Sequence, residues 1–188
     1  GHGWAAGWVV QNDDTTLPGY EIKDAAPLAY GSLLTTANYA TGGDSYQSCG
    51  RNLAVASAFA AYTTDNTDIR KAGTDLWCSY LARRDVNAEY RFMLGHYMGI
   101  AWLDQNQAFE VGQSGGNWQC KIMNGASYTT TGAAATVGST FLIVLHLSFA
   151  ATSTADVYVN PATLGGAAPV SYNLRMTTTD ANFKFARV

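Results

Sequence analysis

The stretch FLIVLHLSF, residues 141–149, carries the alternation that decides the fold class. Its odd-numbered residues are all apolar and would share one face of an extended strand, because successive side chains on a strand point to opposite faces. Its even-numbered residues pass from leucine and valine to His146 and Ser148, which indicates a face that runs from a covered region towards solvent. The stretch therefore predicts a β-strand, and we interpret His146 as a core or sheet-surface histidine.

The same period of two recurs along most of the chain, between turns rich in glycine, asparagine and aspartate. It is seen in TDLWCSYLARR (74–84), EYRFMLGHY (89–97), QAFEVG (107–112), NWQCKIM (117–123), ADVYVN (155–160), SYNLRM (171–176) and NFKFARV (182–188). The alanine-rich segment 52–62 favours a helix or a short helical turn, and the threonine- and alanine-rich segment 129–140 is predicted to be a polar loop. Many short strands at regular spacing predict an all-β antiparallel sandwich or jelly roll with at most a short helix.

The composition narrows the classes of partner. Only 13% of the 188 residues are charged, about half the usual share, and the net charge is -3. Without a basic patch, binding to nucleic acid is not expected, and no apolar run reaches the roughly 20 residues of a membrane span. A weakly charged surface suits a protein that packs against copies of itself or that is located outside the cell.

Four segments resemble a known family: GHGWAAGW (1–8), CGRNL (49–53), GTDLWCSYLARRD (73–85) and STFLIVLHLSFAATSTADVYVNPATLGGAAP (139–169). Together they are similar to the concanavalin A-like (laminin-G-like) jelly-roll domains of large bacterial secreted and surface proteins. The resemblance implies a concanavalin A-like jelly roll and an extracellular or cell-surface location. These are architectural motifs, so they imply almost nothing about activity.

The resemblance also implies an extra strand before the Gly-x-Gly-Trp motif, which the sequence 1–188 does not contain. We expect a single β-sandwich domain over residues 1–188, with the first edge strand either in a preceding part of the protein or supplied by another chain. An edge left without that strand exposes unpaired backbone groups, which another chain could cover. Trp4, Trp8 and Val10 are predicted to form this assembly edge.

Catalytic patterns are weak. A retaining glycosidase needs two carboxyl groups about 5–5.5 Å apart, but Glu21, Glu89 and Glu110 have no suitably spaced carboxylate neighbour. We therefore expect no enzymatic activity. Calcium is the cofactor that the sequence favours most, with Asp65, Asn66 and Asp68 as oxygen ligands in a loop. The alternative is an ordinary solvated turn in which these side chains bond to their own backbone.

The cysteines and aromatic residues give the remaining candidates. Cys78 and Cys120 both lie in predicted strands and are the better pair for a disulfide, although three buried thiols are the alternative. Four aromatic residues near turns or polar loops are candidates for stacking on sugar rings, with core or interface packing as the alternative. They are Trp118, Tyr128, Tyr46 and Trp102, whereas Trp77, central in its strand, is predicted to lie in the core or an interface.

Two functions are compatible with these observations. The first is a non-catalytic extracellular structural subunit that assembles with copies of itself into a filament, sheath or surface layer, in part by strand exchange. The second is a carbohydrate-binding or adhesion module with a polysaccharide partner.

Overall fold

The computed structural model describes residues 9–12, 21–23, 28–33, 39–42, 47–86, 90–95, 109–122, 129–164, 167–180, 183–186 and 188. These residues form β-strands and one 3₁₀ turn at Ala60–Tyr62. The strands are β1 (Val9–Asn12), β2 (Glu21–Lys23), β3 (Tyr39–Thr41), β4 (Gln47–Gly50), β5 (Thr74–Arg83), β6 (Tyr90–Leu94), β7 (Phe109–Ser114), β8 (Asn117–Ile122), β9 (Thr129–Ala134), β10 (Thr140–Phe149), β11 (Ser153–Val159) and β12 (Leu174–Thr178). The predicted all-β class, with a single short helical turn in the described residues, is confirmed.

Two four-stranded antiparallel sheets make up most of this structure. The front sheet has the strand order β12-β11-β10-β5, and the back sheet has the order β6-β7-β8-β9. In the front sheet β5 and β10 pair over their whole length, from Thr140 opposite Arg83 to Phe149 opposite Thr74. Neighbouring strands β5 and β10 are therefore separated in sequence by the entire back sheet.

The core lies between the two sheets. The apolar face predicted for residues 141–149 points into it, and Ile143, Leu145 and Leu147 are fully buried. The back sheet contributes Phe109, Val111 and Cys120 to the same buried cluster. Burying a side chain such as leucine or phenylalanine contributes about 1.5–3 kcal/mol each. The alternation of the sequence thus fixes one apolar face on each sheet, and the two faces pack together.

The hairpin between β7 and β8 has a two-residue turn. Ser114 pairs with Asn117, so only Gly115 and Gly116 make the turn. Both glycines have positive φ angles, 60° and 86°, as a two-residue hairpin turn of type I′ requires. Gly115 and Gly116 therefore form the whole connection between β7 and β8.

One local prediction was wrong. Residues 129–140, predicted to be a polar loop, contain β9, which pairs with β8 across a register shift between Asn117 and Gln119. Polar threonines are compatible with a strand because β-branched side chains fit a pleated surface.

The C-terminal segment 182–188, predicted to be a strand, lies partly outside the described residues. Its described part forms an isolated antiparallel bridge between Phe185 and Ile69, and Val188 exchanges two backbone hydrogen bonds with Arg51.

The N-terminal part of the chain pairs internally where it is described. Val10, predicted to belong to an assembly edge, lies in β1 opposite Cys49 of β4. One edge of β1 is therefore paired by a strand of the same chain. Trp4 and Trp8 lie outside the described residues. Within the described part of the chain, no helix has the length and apolar character needed to cross a membrane.

Candidate functional site

Four side chains lie directly opposite one another on the outer face of the front sheet. Trp77 of β5 pairs with His146 of β10, and His146 pairs with Asp156 of β11. Asp156 pairs in turn with Arg175 of β12. Directly opposed residues on a sheet interact most strongly. We call Trp77, His146, Asp156 and Arg175 the outer row.

Trp77 is the aromatic end of this row. Its side chain is not part of the core, since the residue is 43% exposed. The indole ring stacks on the imidazole of His146, with ring centroids 4.1 Å apart and planes 11° apart. A more distant stack joins it to Tyr158, at 6.0 Å between centroids. Trp77 is thus an exposed ring whose orientation is set by two ring neighbours.

His146 lies between two carboxylates. Its Nε2 is 3.0 Å from Oδ1 of Asp75, on the neighbouring strand β5. Its Nδ1 is 3.7 Å from Oδ2 of Asp156, on the other neighbouring strand. Asp75 is half exposed and Asp156 is almost fully buried, so the imidazole spans the boundary between solvent and the sheet.

The buried carboxylate of Asp156 is compensated by Arg175. The guanidinium donates two hydrogen bonds, from Nε to Oδ1 at 2.5 Å and from Nη2 to Oδ2 at 2.7 Å. This hydrogen bonding raises the pKa of Arg175, and the cation also lies 4.2 Å above the ring of Tyr172. Burial, with a smaller contribution from the charge of Asp156, raises the pKa of Tyr158. Arg175 and Tyr158 therefore keep their protons.

A cleft opens beside Trp77. It has a volume of about 480 Å³, within the range of small-ligand sites. Its floor is the outer face of the front sheet, with Ser79, Leu142 and Val144 next to Trp77. Its wall comes from the segment after β11, which includes Pro161, Leu164 and Pro169, and Leu33 closes another side. The lining of the cleft is mixed, with the polar residues Ser79 and Thr163 among its apolar side chains, and Trp77 is the residue that it shares with the outer row.

Trp118, predicted to be an exposed sugar-stacking residue, is buried instead. It is only 2% exposed and contacts the ring of Phe141 edge-on, at 5.4 Å between centroids. The reason is the two-residue turn, after which β8 starts at once. Alternation then turns Trp118, Cys120 and Ile122 to the core. The other three aromatic candidates, Tyr46, Tyr128 and Trp102, lie outside the described residues.

The predicted calcium ligands have partners from their own chain. The carboxylate of Asp65 accepts bonds from the backbone and hydroxyl of Thr67 and pairs with Arg70 at 3.0 Å. Asp68 is buried and lies 3.2 Å from Nζ of Lys184. Asn66 occupies the turn itself, with a φ of 60°. A calcium ion here would have to displace these donors.

Across the described ranges, no group of three or more histidine, cysteine, aspartate or glutamate side chains is placed to hold a metal ion.

The predicted disulfide is not formed. Cys78 and Cys120 are free thiols on opposite sheets, since Cys78 lies on β5 and Cys120 on β8. Burial raises the pKa of both thiols to about 12. They therefore stay protonated and pack as small apolar side chains. The alternative of buried thiols fits these two residues.

Comparison with models of known protein families, with curated protein sequences and with solved structures found no match. The outer row is therefore interpreted from its own geometry. Sequence reasoning placed Trp77 in the core or an interface, although the alternation of residues 74–84 contains the signal that it is not in the core. Leu76, Cys78 and Tyr80 pack against the core, so the odd-numbered Trp77 faces outward.

Proposed function

We propose that the protein is a non-catalytic β-sandwich module that binds a polysaccharide on the outer face of its front sheet. The observation that carries the proposal is Trp77, an exposed and oriented indole ring at the mouth of the cleft. The face of an indole ring is electron-rich and attracts the polarised C–H groups of a sugar ring. Asp75 beside it offers a carboxylate to sugar hydroxyl groups.

The shape of the site supports the same kind of ligand. Next to Trp77, the cleft provides apolar contacts with Leu142, Val144 and Leu164 and polar groups from Ser79 and Thr163. Binding sites commonly combine such an apolar lining with a few placed polar groups. Glu110, a described glutamate, is buried on the back sheet 3.4 Å from Arg91, and so does not serve this face.

A pull-down with insoluble polysaccharides tests whether the protein binds them and whether binding requires Trp77. The protein is incubated with insoluble cellulose, chitin, xylan and starch, alongside Trp77→Ala and a control, Val86→Ala, which alters another exposed apolar residue. We expect the wild type and Val86→Ala to be retained on at least one polysaccharide, and Trp77→Ala to be retained about tenfold less, as a loss of about 1.4 kcal/mol implies. No retention of the wild type, or equal retention of all three proteins, would overturn the proposal.

Self-assembly is the second candidate, and β5 is the observation that favours it. Among the described strands of the front sheet, this ten-residue strand stands at one end of the order. A long strand in that position is a template for pairing with another chain. Together with the low charge, this supports an extracellular subunit that assembles with its own copies, in line with the resemblance to jelly-roll surface domains. Polymers of native protein in electron micrographs are the expected result, and a monomer at high concentration would contradict it.

A further inference from the structure

We propose that His146 positions the indole of Trp77 for ligand binding, and that the strength of this positioning depends on the proton that His146 carries. The binding part of this inference rests on the proposed function, whereas the positioning part concerns the free protein. Its basis is the close stack of the two rings, with centroids 4.1 Å apart and nearly parallel planes. Any movement of the imidazole would therefore move or release the indole.

The imidazole is hydrogen-bonded through Nε2 to Asp75 at 3.0 Å, and its Nδ1 lies 3.7 Å from a carboxylate oxygen of Asp156. From β5 the charged group facing it is Asp75, and from β11 the groups are Asp156 and, further along the strand, Tyr158. From β12, Arg175 reaches this set only through Asp156, to which it donates two hydrogen bonds. His146 thus faces two carboxylates, one of which already has a cationic partner.

The two protonation states of His146 differ in how firmly they hold the ring. With both nitrogens protonated, Nε2–H donates to Asp75, the second N–H lies 3.7 Å from Asp156, and the resulting cation lies over the indole face, an attractive arrangement. With the proton on Nε2 alone, the contact to Asp75 remains but the lone pair of Nδ1 faces Asp156. The stacked geometry is therefore favoured when His146 carries both protons.

The first experiment needs no ligand. Fluorescence of the wild type minus that of Trp77→Phe isolates the indole of Trp77, and it is recorded from about pH 8 to about pH 5. Protonated imidazole quenches a stacked indole, so we expect the signal of Trp77 to fall as the pH falls. The same subtraction is made between His146→Phe and His146→Phe/Trp77→Phe. Phenylalanine can still stack on the indole but cannot take up a proton, so the signal of Trp77 should then be independent of pH. A flat wild-type signal, or a change that persists in His146→Phe, would overturn the positioning role.

His146→Gln serves as a second neutral variant, so the conclusion does not depend on one substitution. Circular dichroism melts establish that each variant is folded. His2 and His96 are present in every protein compared. Any pH dependence that they give to the fluorescence therefore also appears in the two His146 variants and is recognised there.

The second experiment measures binding at the two ends of the range. On a polysaccharide that retains the wild type, we expect retention to be about two- to fivefold stronger near pH 5.5 than near pH 8, the size of a partly exposed cation–π contact. His146→Phe should bind with no such dependence. Equal retention by the wild type at both pH values would overturn the link to binding. If no polysaccharide retains the wild type, the proposed function fails, and the fluorescence result alone decides the role of His146.

Discussion

Within the outer row, each side chain is held by its neighbour on the next strand. Arg175 neutralises the buried Asp156, Asp156 and Asp75 face the two nitrogens of His146, and the imidazole supports the exposed ring of Trp77. A buried carboxylate is costly unless it is paired and hydrogen-bonded, so the row depends on its cation. The exposed ring at one end is thus linked to an ion pair at the other.

Replacing Arg175 by methionine tests this dependence. The change leaves Asp156 buried without its two hydrogen bonds, so we expect the free energy of unfolding to fall by about 1–3 kcal/mol in urea denaturation. Arg83→Met is the matched control, because Arg83 pairs with the exposed Asp85. Surface pairs contribute about 0–1 kcal/mol, so this control should have little effect. Equal losses in the two variants would show that the Arg175–Asp156 pair has no special role.

The carboxyl group of Asp65 leads to a second prediction, on how stability depends on pH. Hydrogen bonds, first of all from Thr67, hold the pKa of its carboxyl group well below the ordinary value of 3.8. A depressed pKa in the folded state means that the stabilisation is complete above 3.8 and is lost as the pH falls below it.

We therefore expect Asp65→Asn to be less stable than the wild type at pH ~7 and the difference to shrink below pH ~3, in thermal melts across this range. A difference that stays constant or grows on acidification would contradict this assignment.

At the scale of elements, the hairpin β7–β8 decides which aromatic residues are buried. Its two glycines close the turn so tightly that Trp118 is already within the strand. The φ of Gly116 is 86°, in a region that other residues rarely adopt, although a Cβ there would meet no neighbouring atom. Any cost of a substitution is therefore backbone strain alone.

Gly116→Ala should lower the free energy of unfolding by about 1–2 kcal/mol, because alanine at a positive φ is strained. Gly115→Asn is the control, since asparagine tolerates the first position of a type I′ turn, and it should be nearly neutral. Chemical denaturation of both variants provides the measurement. Similar stabilities for the two variants would refute the type I′ assignment.

At the scale of the whole molecule, the contact between the sheets involves large side chains from both. Trp118 of the back sheet meets Phe141 of the front sheet, and Tyr80 of the front sheet stacks on Phe92 of the back sheet. The two tryptophans Trp118 and Trp77 thus have opposite roles, one between the sheets and one on the outside.

Alanine at each position separates these roles. Trp118→Ala should cost about 3–5 kcal/mol of stability, as loss of a buried aromatic side chain does. Trp77→Ala should lower the stability much less. The expected loss is the roughly 0.5 kcal/mol of an ordinary surface substitution, together with the energy of the lost stacking on His146. Thermal unfolding of both variants gives the comparison, and a larger loss for Trp77→Ala would contradict the assigned faces.

The strands were largely predictable because alternation is local. Residues 141–149 show their buried face in nine consecutive letters, and the structure keeps that face. The outer row and its contact with Asp75 were not predictable, because β5 and β10 are far apart in the sequence: His146 and Asp75 are 71 positions apart and meet only through the register of these strands. Trp118 was predicted to be exposed because it follows a glycine-rich turn. The turn has only two residues, so Trp118 already lies in β8 and faces the core.

The affinity of the wild type and of Trp77→Ala for a soluble oligosaccharide tests the central claim most directly. The oligosaccharide is prepared from the polysaccharide that retains the protein, and binding is measured by titration calorimetry. We predict that Trp77→Ala binds at least about tenfold more weakly while its melting temperature stays close to that of the wild type. Equal affinity of the two folded proteins would contradict the account.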